Sequence, residues 1–510
     1  MSAARRTAAA GRPRGQLAIV LHTHMPYVEG FGTWPFGEEW LWEAIASCYL
    51  PLLDLLERDA PLTLSLTPVL CDQLEAPAIG ARFTHFIDDV RRRTHDEDSH
   101  GLRDGGHETL ARELERSWEE YECALHSFQR RDGDLLAAFA PHAQWTSAAT
   151  HAVLPLLASE PALRLQVQTG IASHRARFPA PWRGGFWLPE CAHAPQLEPA
   201  LADAGVRATC VELTARLGLG APAHLRPLRG EGDVVLAPID RATIALVWSD
   251  GGYPAHAYYR DYHRHTVHHH NPWANDGGAY DRPRALALAR AHAADFVART
   301  ASRLHRDGAG LPGGGLVVCA LDTELLGHWW YEGLHWLEAV VEECARQGLE
   351  LVRLDDALPR LEPTRLAEVA GEELRGEGRG AERPRGGERG GTERRAEDRG
   401  EASTWGAGGD LSTWSGPAVA EIAFAMRAAE LEVLRAGPRA GVAAARELLA
   451  LQASDWAFMV ARGLAAPYAH ERFAGHRAAL ARALAAGVDA DARGARNIAP
   501  HATAAALLAL

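Results

Sequence analysis

The chain has 510 residues, 47% of them hydrophobic, enough to bury a large core and more than one domain. A net charge of -13 and a pI near 6.0 exclude the basic footprint that a nucleic-acid binder needs. Lysine is absent, which excludes P-loop, Schiff-base and kinase-type lysine chemistry; codon usage in a GC-rich genome accounts for a chain whose basic residues are all arginine.

Residues 1–15 read as a disordered tail, because their arginines adjoin no apolar stretch of the kind a secretory leader carries. No run approaches the ~18 apolar residues of a membrane span. The 7 cysteines are scattered without a CxxC pair, which points to a reducing cytoplasm rather than a disulfide framework or structural zinc. Leu17–Leu21 is a short buried strand that opens onto His22-Thr23-His24. Residues 39–57 have helical periodicity, with Trp40, Ile45, Leu52 and Leu53 facing inward. Leu62–Leu70 is a second strand candidate, and residues 84–134 are a charged helical insertion outside the main sheet. Further strand candidates are Leu163–Gly170, Val206–Glu212, Val234–Pro238 and Leu316–Leu321. Helices are expected over residues 281–303 and 334–347. Alternating strands and helices predict an α/β fold built as a parallel barrel over 16–360. Residues 361–403, whose part 371–401 is almost wholly Gly, Glu, Arg and Ala, form a disordered linker. Alanine-rich helices over 418–436, 440–453 and 476–486 make 404–510 an all-helical C-terminal domain, with Gly437-Pro438 punctuating the first two.

The chemistry concentrates in Leu316–Gly333 (LVVCALDTELLGHWWYEG). A buried strand ends abruptly in Asp322, Thr323 and Glu324, followed by His328, Trp329 and Trp330. Gly185–Cys191 (GFWLPEC) repeats the theme, with Glu190 beside Trp187. Carboxylates at strand ends beside aromatic platforms suggest glycosidic-bond chemistry. His22 and His24 share one side of their strand end, because strand side chains alternate. Such a pair suits either zinc or the hydrogen-bonding wall of a sugar pocket. The tract His263, His265, His268, His269 and His270 is a polar, aromatic-flanked loop to which no metal is assigned. Trp405 and Trp414 are either core anchors or a glucan platform over the barrel mouth.

Together these segments resemble glycoside hydrolase family 57, in its branch of 1,4-α-glucan branching enzymes. The resemblance rests on HTHMPY at 22–27 followed by EEWLWEAIASCYLPLL at 38–53, TSAATHAVLPLL at 146–157, FWLPECAHAP at 186–195, VWSDGGYP at 247–254, LDTELLGHWWYEG at 321–333 and SDWAF at 454–458. It implies a (β/α)7 barrel and a retaining double displacement, with Glu190 as nucleophile and Asp322 as general acid/base. It implies substrate-binding roles for His22, His24, His151, Trp187, Trp248, Tyr253, Glu324, His328, Trp329, Trp405, Trp414, Asp455 and Trp456. The implied partner is an α-glucan polysaccharide, with no metal, other cofactor, nucleic acid or membrane.

Three positions depart from the family pattern. Ala143 stands where a glutamate is usual, and His193 where a tyrosine is usual. The branching enzymes carry a loop tyrosine that Cys210–Val247 lacks. The altered loop is the feature that favours an amylase-like hydrolase over a branching transferase. A zinc-dependent deacetylase-type barrel using His22 and His24, and a non-catalytic glucan-binding protein, complete the alternatives.

Overall fold

The computed structural model describes residues 15–32, 37–369, 402–491 and 495–508. Its strands are β1 (Gln16–Thr23), β2 (Thr63–Leu66), β3 (Ala143–Ser147), β4 (Phe186–Trp187), β5 (Ala208–Val211), β6 (Leu228–Arg229), β7 (Val235–Pro238), β8 (Leu316–Asp322), β9 (Glu350–Leu351) and β10 (Thr364–Arg365). Parallel ladders run β4-β3-β2-β1-β8. A bridge from Gly185 to Ala208 carries the sheet on to β5, which pairs with β7. Asp240 N–H then donates to the Val318 carbonyl at 2.9 Å and returns the ring to β8. The result is a barrel of parallel strands β8-β1-β2-β3-β4-β5-β7 with helices outside and all strand C-termini at one end. β6 runs antiparallel to β7, and β9 pairs with the start of β1.

The strands that close the ring are short apolar runs because both their faces are covered. In β8, Leu316 through Leu321 are all buried, and each large aliphatic side chain contributes about 1.5–3 kcal/mol by leaving water. The strand ends where Asp322 meets the open end of the barrel.

Most expected elements are present with small shifts of boundary; the strand expected over Leu62–Leu70 ends at Leu66 because Pro68 opens the helix Pro68–Leu74, the helix expected over 476–486 begins at Ala466, and Leu163–Gly170 is not a strand. It lies in the helix Glu160–Arg177, whose start is set by the Ser159 side chain accepting from Ala162 N and by Pro161 in the first turn. Leu163, Leu165, Gln166, Val167 and Thr169 are all buried, so burial on several faces blurs the 3.6-residue pattern and leaves an alternation that reads as a strand. The real strands in this region, β3 and β4, are five and two residues long and too short to show a period.

The insertion consists of consecutive helical segments over 79–104 and the helix Glu108–Arg130. The segment expected as the helix 39–57 runs from Glu38 to Leu56 but is π-helical over Ile45–Tyr49. Ile45, Leu52 and Leu53 are buried as expected, whereas Trp40 is half-buried. The linker does not begin at 361, since Thr364–Arg365 form β10 and pair with β6. Most of the linker (370–401) and the tail 1–14 lie outside the described residues.

Beyond the linker, the helices Ala420–Ala436, Gly441–Leu451, Ser454–Ala461 and Ala466–Ala486 surround their own apolar core. That core also takes in Tyr27, Val69, Ala149 and Val153 from the barrel's strand-end loops. The helical part is thus packed over the end of the barrel where the strands terminate.

One glycine measures how tightly the helix Glu160–Arg177 is pressed on β3. A Cβ at Gly170 would lie 2.0 Å from the Ser147 carbonyl oxygen, a backbone atom that cannot swing aside. Helix propensity alone would make Gly170→Ala stabilising by about 1 kcal/mol. We expect the overlap to win and the substitution to destabilise by about 1–3 kcal/mol. Thermal denaturation checks this; an unchanged or raised Tm would contradict the packing described.

Candidate active site

Strand register assembles the first row of the site. His22 on β1 lies beside Ser65 on β2 and Asp322 on β8. Ser147 on β3 pairs with Trp187 on β4, and its hydroxyl donates to the Trp187 carbonyl at 2.8 Å. The chain leaves β4 through Leu188 and enters the tight turn Pro189–Cys191. Glu190 (φ 62°) and Cys191 (φ 48°) both take left-handed backbone there, as does His151 (φ 59°). Non-glycine residues pay of order 1–3 kcal/mol each for such conformations, which gather at functional sites.

The C-terminal helical part completes the surroundings of Glu190. Trp405 Nε1–H donates to Glu190 Oε2 at 3.0 Å, and Ser454 Oγ–H donates to Oε1 at 3.0 Å. Backbone bonds position both donors. Trp405 N–H donates to the Glu190 carbonyl, residues 193 and 403 exchange a pair of backbone bonds, and Ser454 N–H donates to the His151 carbonyl. Trp187 lies behind the carboxylate, stacked on His22 at 4.6 Å and tilted against Trp405 at 5.1 Å.

The three histidines form one stack, with His24 4.0 Å from His151 and His22 4.9 Å from it. All six ring nitrogens have protein partners. His22 meets Ser65 Oγ at 3.3 Å and His151 Nε2 at 2.9 Å; His151 Nδ1 meets Ser454 Oγ at 2.8 Å. His24 meets Thr67 Oγ1 at 3.2 Å and Asp455 Oδ1 at 2.9 Å. Burial drives His22 and His151 well below the ordinary imidazole range, helped by neighbouring histidines, so both are neutral. Burial also opposes charge on His24, but Asp455, Glu324 and Glu190 overcome it and raise that imidazole. Their nitrogens are therefore occupied in holding the site together rather than open to a ligand, and among the described residues no group of three or more His, Cys, Asp and Glu is placed to hold a metal ion.

The carboxyl groups differ in environment. Asp322 opens to solvent through the mouth, yet the protein packed around it strips much of its hydration. That loss, together with the like charge of Glu190, pushes it up to about 8. Burial also raises Glu190, while the Trp405 and Ser454 donors hold it down. Glu324 accepts from Tyr49 Oη at 2.7 Å and from His24 N–H at 3.1 Å, and burial pushes it up to about 8. Tyr49 ends the π-helical stretch. That stretch presses the Ser47 carbonyl so closely on Gly327 (φ 104°) that a Cβ there would be 2.1 Å from it.

The other residues singled out from sequence fall into separate places. Asp455 belongs to the cluster through His24. Trp414, 1% exposed, and Trp456, whose indole N–H donates to the Ala450 carbonyl, are core residues of the helical part, not platforms at the mouth. Tyr253 donates to Asp295 Oδ2 at 2.7 Å and stacks on His292, and Trp248 is 51% exposed; among the described residues no hydrogen bond or ring contact joins either to Glu190 or Asp322. His328 and Trp329 line a cavity of about 680 Å³ between the segment 39–58, the helix Glu108–Arg130 and the loop 260–271. Neither Glu190 nor Asp322 lines it. Trp329 lies over Tyr262 at 4.4 Å, and much of the histidine tract faces this cavity, with His268 Nδ1 held by Asp98 at 2.8 Å. His193 pairs with Glu198 at 2.9 Å in the core, and Ala143 opens β3. Sequence reasoning missed Ser65, Thr67, Tyr49 and Ser454. Only Ser454 carried a signal, through its place beside Asp455 and Trp456.

Residues 145–370 match the family model for glycosyl hydrolase family 57, and residues 420–498 match that for the 1,4-alpha-glucan branching enzyme C-terminal region. The chain is 31% identical to the probable 1,4-alpha-glucan branching enzyme Rv3031 of Mycobacterium tuberculosis, over 93% of each chain. It is 29% identical to the 1,4-alpha-glucan branching enzyme TK1436 of Thermococcus kodakarensis, over 90% of this chain and 72% of that one. Among solved structures it is similar to the GH57-type branching enzyme of Pyrococcus horikoshii, with a TM-score of 0.82 and 27% identity over 97% of each chain. A Thermotoga maritima α-amylase, AmyC, at 21% identity and a TM-score of 0.77, shares the fold over 97% of this chain and 99% of its own.

The electrostatics make a direct expectation. Asp322 stays protonated at pH 7 and loses its proton as pH rises through about 8. Removing the neighbouring charge in Glu190→Gln lowers that value but leaves the desolvation part in place. Carbon-13 NMR of aspartate-labelled protein, assigned with Asp322→Asn, checks both. An ordinary value near 4 in the wild type, or no decrease in Glu190→Gln, would contradict this.

Proposed function

The chain belongs to glycoside hydrolase family 57, and we propose that it is a 1,4-α-glucan branching enzyme acting by retaining transfer. The observation that carries the mechanism is the contrast between two carboxyl groups at one strand-end site. Asp322 is pushed to about 8, whereas Glu190 accepts two N–H and O–H donors that favour its ionised form.

In this reading Glu190 attacks the anomeric carbon of an α-1,4-linked glucose while Asp322 gives its proton to the departing 4-oxygen. The product is a covalent glucosyl-enzyme and a free chain end. Asp322, now ionised, takes the proton from an acceptor hydroxyl, which displaces Glu190 and restores the anomeric configuration. Two successive inversions, with Glu190 on one face of the ring and the leaving and accepting oxygens served by Asp322 on the other, require the carboxyl groups to stand about 5–5.5 Å apart. If the acceptor is a 6-hydroxyl, a branch forms. His24, whose imidazole is raised by Asp455, favours the ionised states of the carboxylates when it carries a proton. Trp405, half-buried beside Glu190, offers an apolar face on which a sugar can lie, and the fully buried Trp187 backs it. Tyr253 and Trp248, which the resemblance assigns to substrate, bind it in this reading only at a distance from the carboxylates.

The partner we propose is an α-glucan polysaccharide, and the compartment the cytoplasm. Among the described residues no helix is long and apolar enough to cross a membrane. One observation favours a second reading. Cys210–Val247 has no tyrosine, so the loop that in branching enzymes carries one is altered here. Water as acceptor would make the same site an α-1,4-glucan hydrolase.

Amylose incubated with the protein and followed by proton NMR, alongside a reducing-end assay, separates the two. Branching gives new α-1,6 signals with few new reducing ends. Reducing ends without α-1,6 signal would replace branching by hydrolysis. In Glu190→Gln and Asp322→Asn we expect either activity to fall by about three orders of magnitude or more. Full activity in Glu190→Gln would overturn the enzymatic reading and leave a glucan-binding protein.

A further inference from the structure

The histidine stack beneath Glu190 does more than fill space. Ser65 Oγ, His22, His151, Ser454 Oγ and Glu190 Oε1 are joined end to end by contacts of 3.3, 2.9, 2.8 and 3.0 Å. A neutral imidazole has one donor nitrogen and one acceptor nitrogen, and a hydroxyl has one hydrogen. An ionised Glu190 can only accept, so Ser454 must give it that one hydrogen. His151 Nδ1 must then donate to Ser454 Oγ, which leaves His151 Nε2 as an acceptor. His22 Nε2 must donate to it, which leaves His22 Nδ1 to accept from Ser65. Burial keeps both rings neutral, as the arrangement requires. Trp405 Nε1–H takes the other oxygen and has no alternative role, since an indole only donates.

We propose that Ser65, His22, His151 and Ser454 form a one-directional hydrogen-bond chain that commits the Ser454 hydroxyl to Glu190 Oε1, so that His151 acts as a positioning residue for the nucleophile. This rests on the reading of Glu190 as nucleophile. Without His151 the Ser454 hydroxyl could rotate and serve as acceptor instead. With it, the serine has nowhere else to place its hydrogen. The chain also joins the two parts of the protein, since Ser65, His22 and His151 come from the barrel and Ser454 from the helical part. His22 and His151 are thereby assigned to the enzyme's own carboxylate and not to sugar hydroxyls.

The groups that face Glu190 are Asp455 and Ser454 from the helical part, Trp405 beyond the linker, His151 after β3, whose Nδ1 stands 3.7 Å from Oε1, His24 just past β1, Asp322 from β8 and the adjoining Cys191. Among the described residues only Ser454 and Trp405 donate hydrogen bonds to its oxygens. Loss of the serine hydroxyl therefore favours the protonated form and moves the acidic limb of the kcat/KM profile upward.

The test uses the full-length enzyme on a maltooligosaccharide, with Glu190→Gln as reference. Ser454→Ala should raise the acidic limb by about one pH unit, and Ser454→Thr, which keeps a hydroxyl, should restore it. His151→Asn tolerates the left-handed backbone and should shift the limb in the same direction, and in combination with Ser454→Ala it should add little. A limb that stays in place in Ser454→Ala while kcat falls at every pH would overturn the chain and leave Ser454 a packing residue. Nitrogen-15 NMR of imidazole-labelled wild-type enzyme needs no stable variant. We expect His151 protonated at Nδ1 and His22 at Nε2, and both rings protonated at Nε2 would overturn the chain. If Glu190→Gln retains activity, the nucleophile assignment fails, whatever the limb does. If Glu190→Gln is inactive and the limb is unmoved, the chain alone fails.

Discussion

A carboxylate removed from water must find other donors, and much of this structure follows from supplying them to Glu190. Its own barrel offers it a strained turn and a wall of tryptophan and histidine. The two hydrogen bonds that hold its oxygens come from Trp405 and Ser454, more than two hundred residues further on. The barrel alone would leave a buried charge with too few partners, at a cost of about 1–3 kcal/mol or more per lost donor. The helical part is therefore a component of the site and not an appendage. Its docking bonds, at residues 403–405 and at Ser454, fall on the loops that carry Glu190, His193 and His151.

The same constraint sorts the ionisable groups. Burial raises Glu190, and its two donors hold that rise down. Asp322, a strand neighbour of His22, has none among the described residues that compensate its lost hydration, and with the like charge of Glu190 it is pushed up to about 8. Asp455 raises His24 against its burial, and burial holds His22 and His151 neutral. Three stacked imidazoles are thus shifted in opposite directions within a few ångströms, each by its own neighbours. Acid and nucleophile roles follow from surroundings rather than from residue type.

The parts of this arrangement legible in the sequence were those written in consecutive residues. The apolar run of β8 ending in Asp322 announced both the strand and the site. So did Glu190 in its Trp-Leu-Pro frame, and the alanine-rich helices past the linker. The helix Glu160–Arg177 read as a strand because it is buried on several sides, which erases the pattern that would identify it. β3 and β4 were too short to show a period. Ser65, Thr67 and Tyr49 were invisible because each is an ordinary residue given meaning by register or by a π-helical turn. Trp414 and Trp456 drew attention as aromatics, and only packing shows them to be core. Sequence marks where chemistry is carried; the partners that tune it are set by which strands and helices meet.

The central claim is that Glu190 becomes covalently linked to sugar and that Asp322 governs its release. Mass spectrometry of Asp322→Asn treated with an α-maltooligosyl fluoride tests it most directly. Fluoride departs without an acid, so the first displacement proceeds, while the missing base slows the second. The account predicts a glycosylated protein whose modified peptide carries the sugar on Glu190. An unmodified protein that still releases fluoride, or a sugar on any other residue, would contradict it.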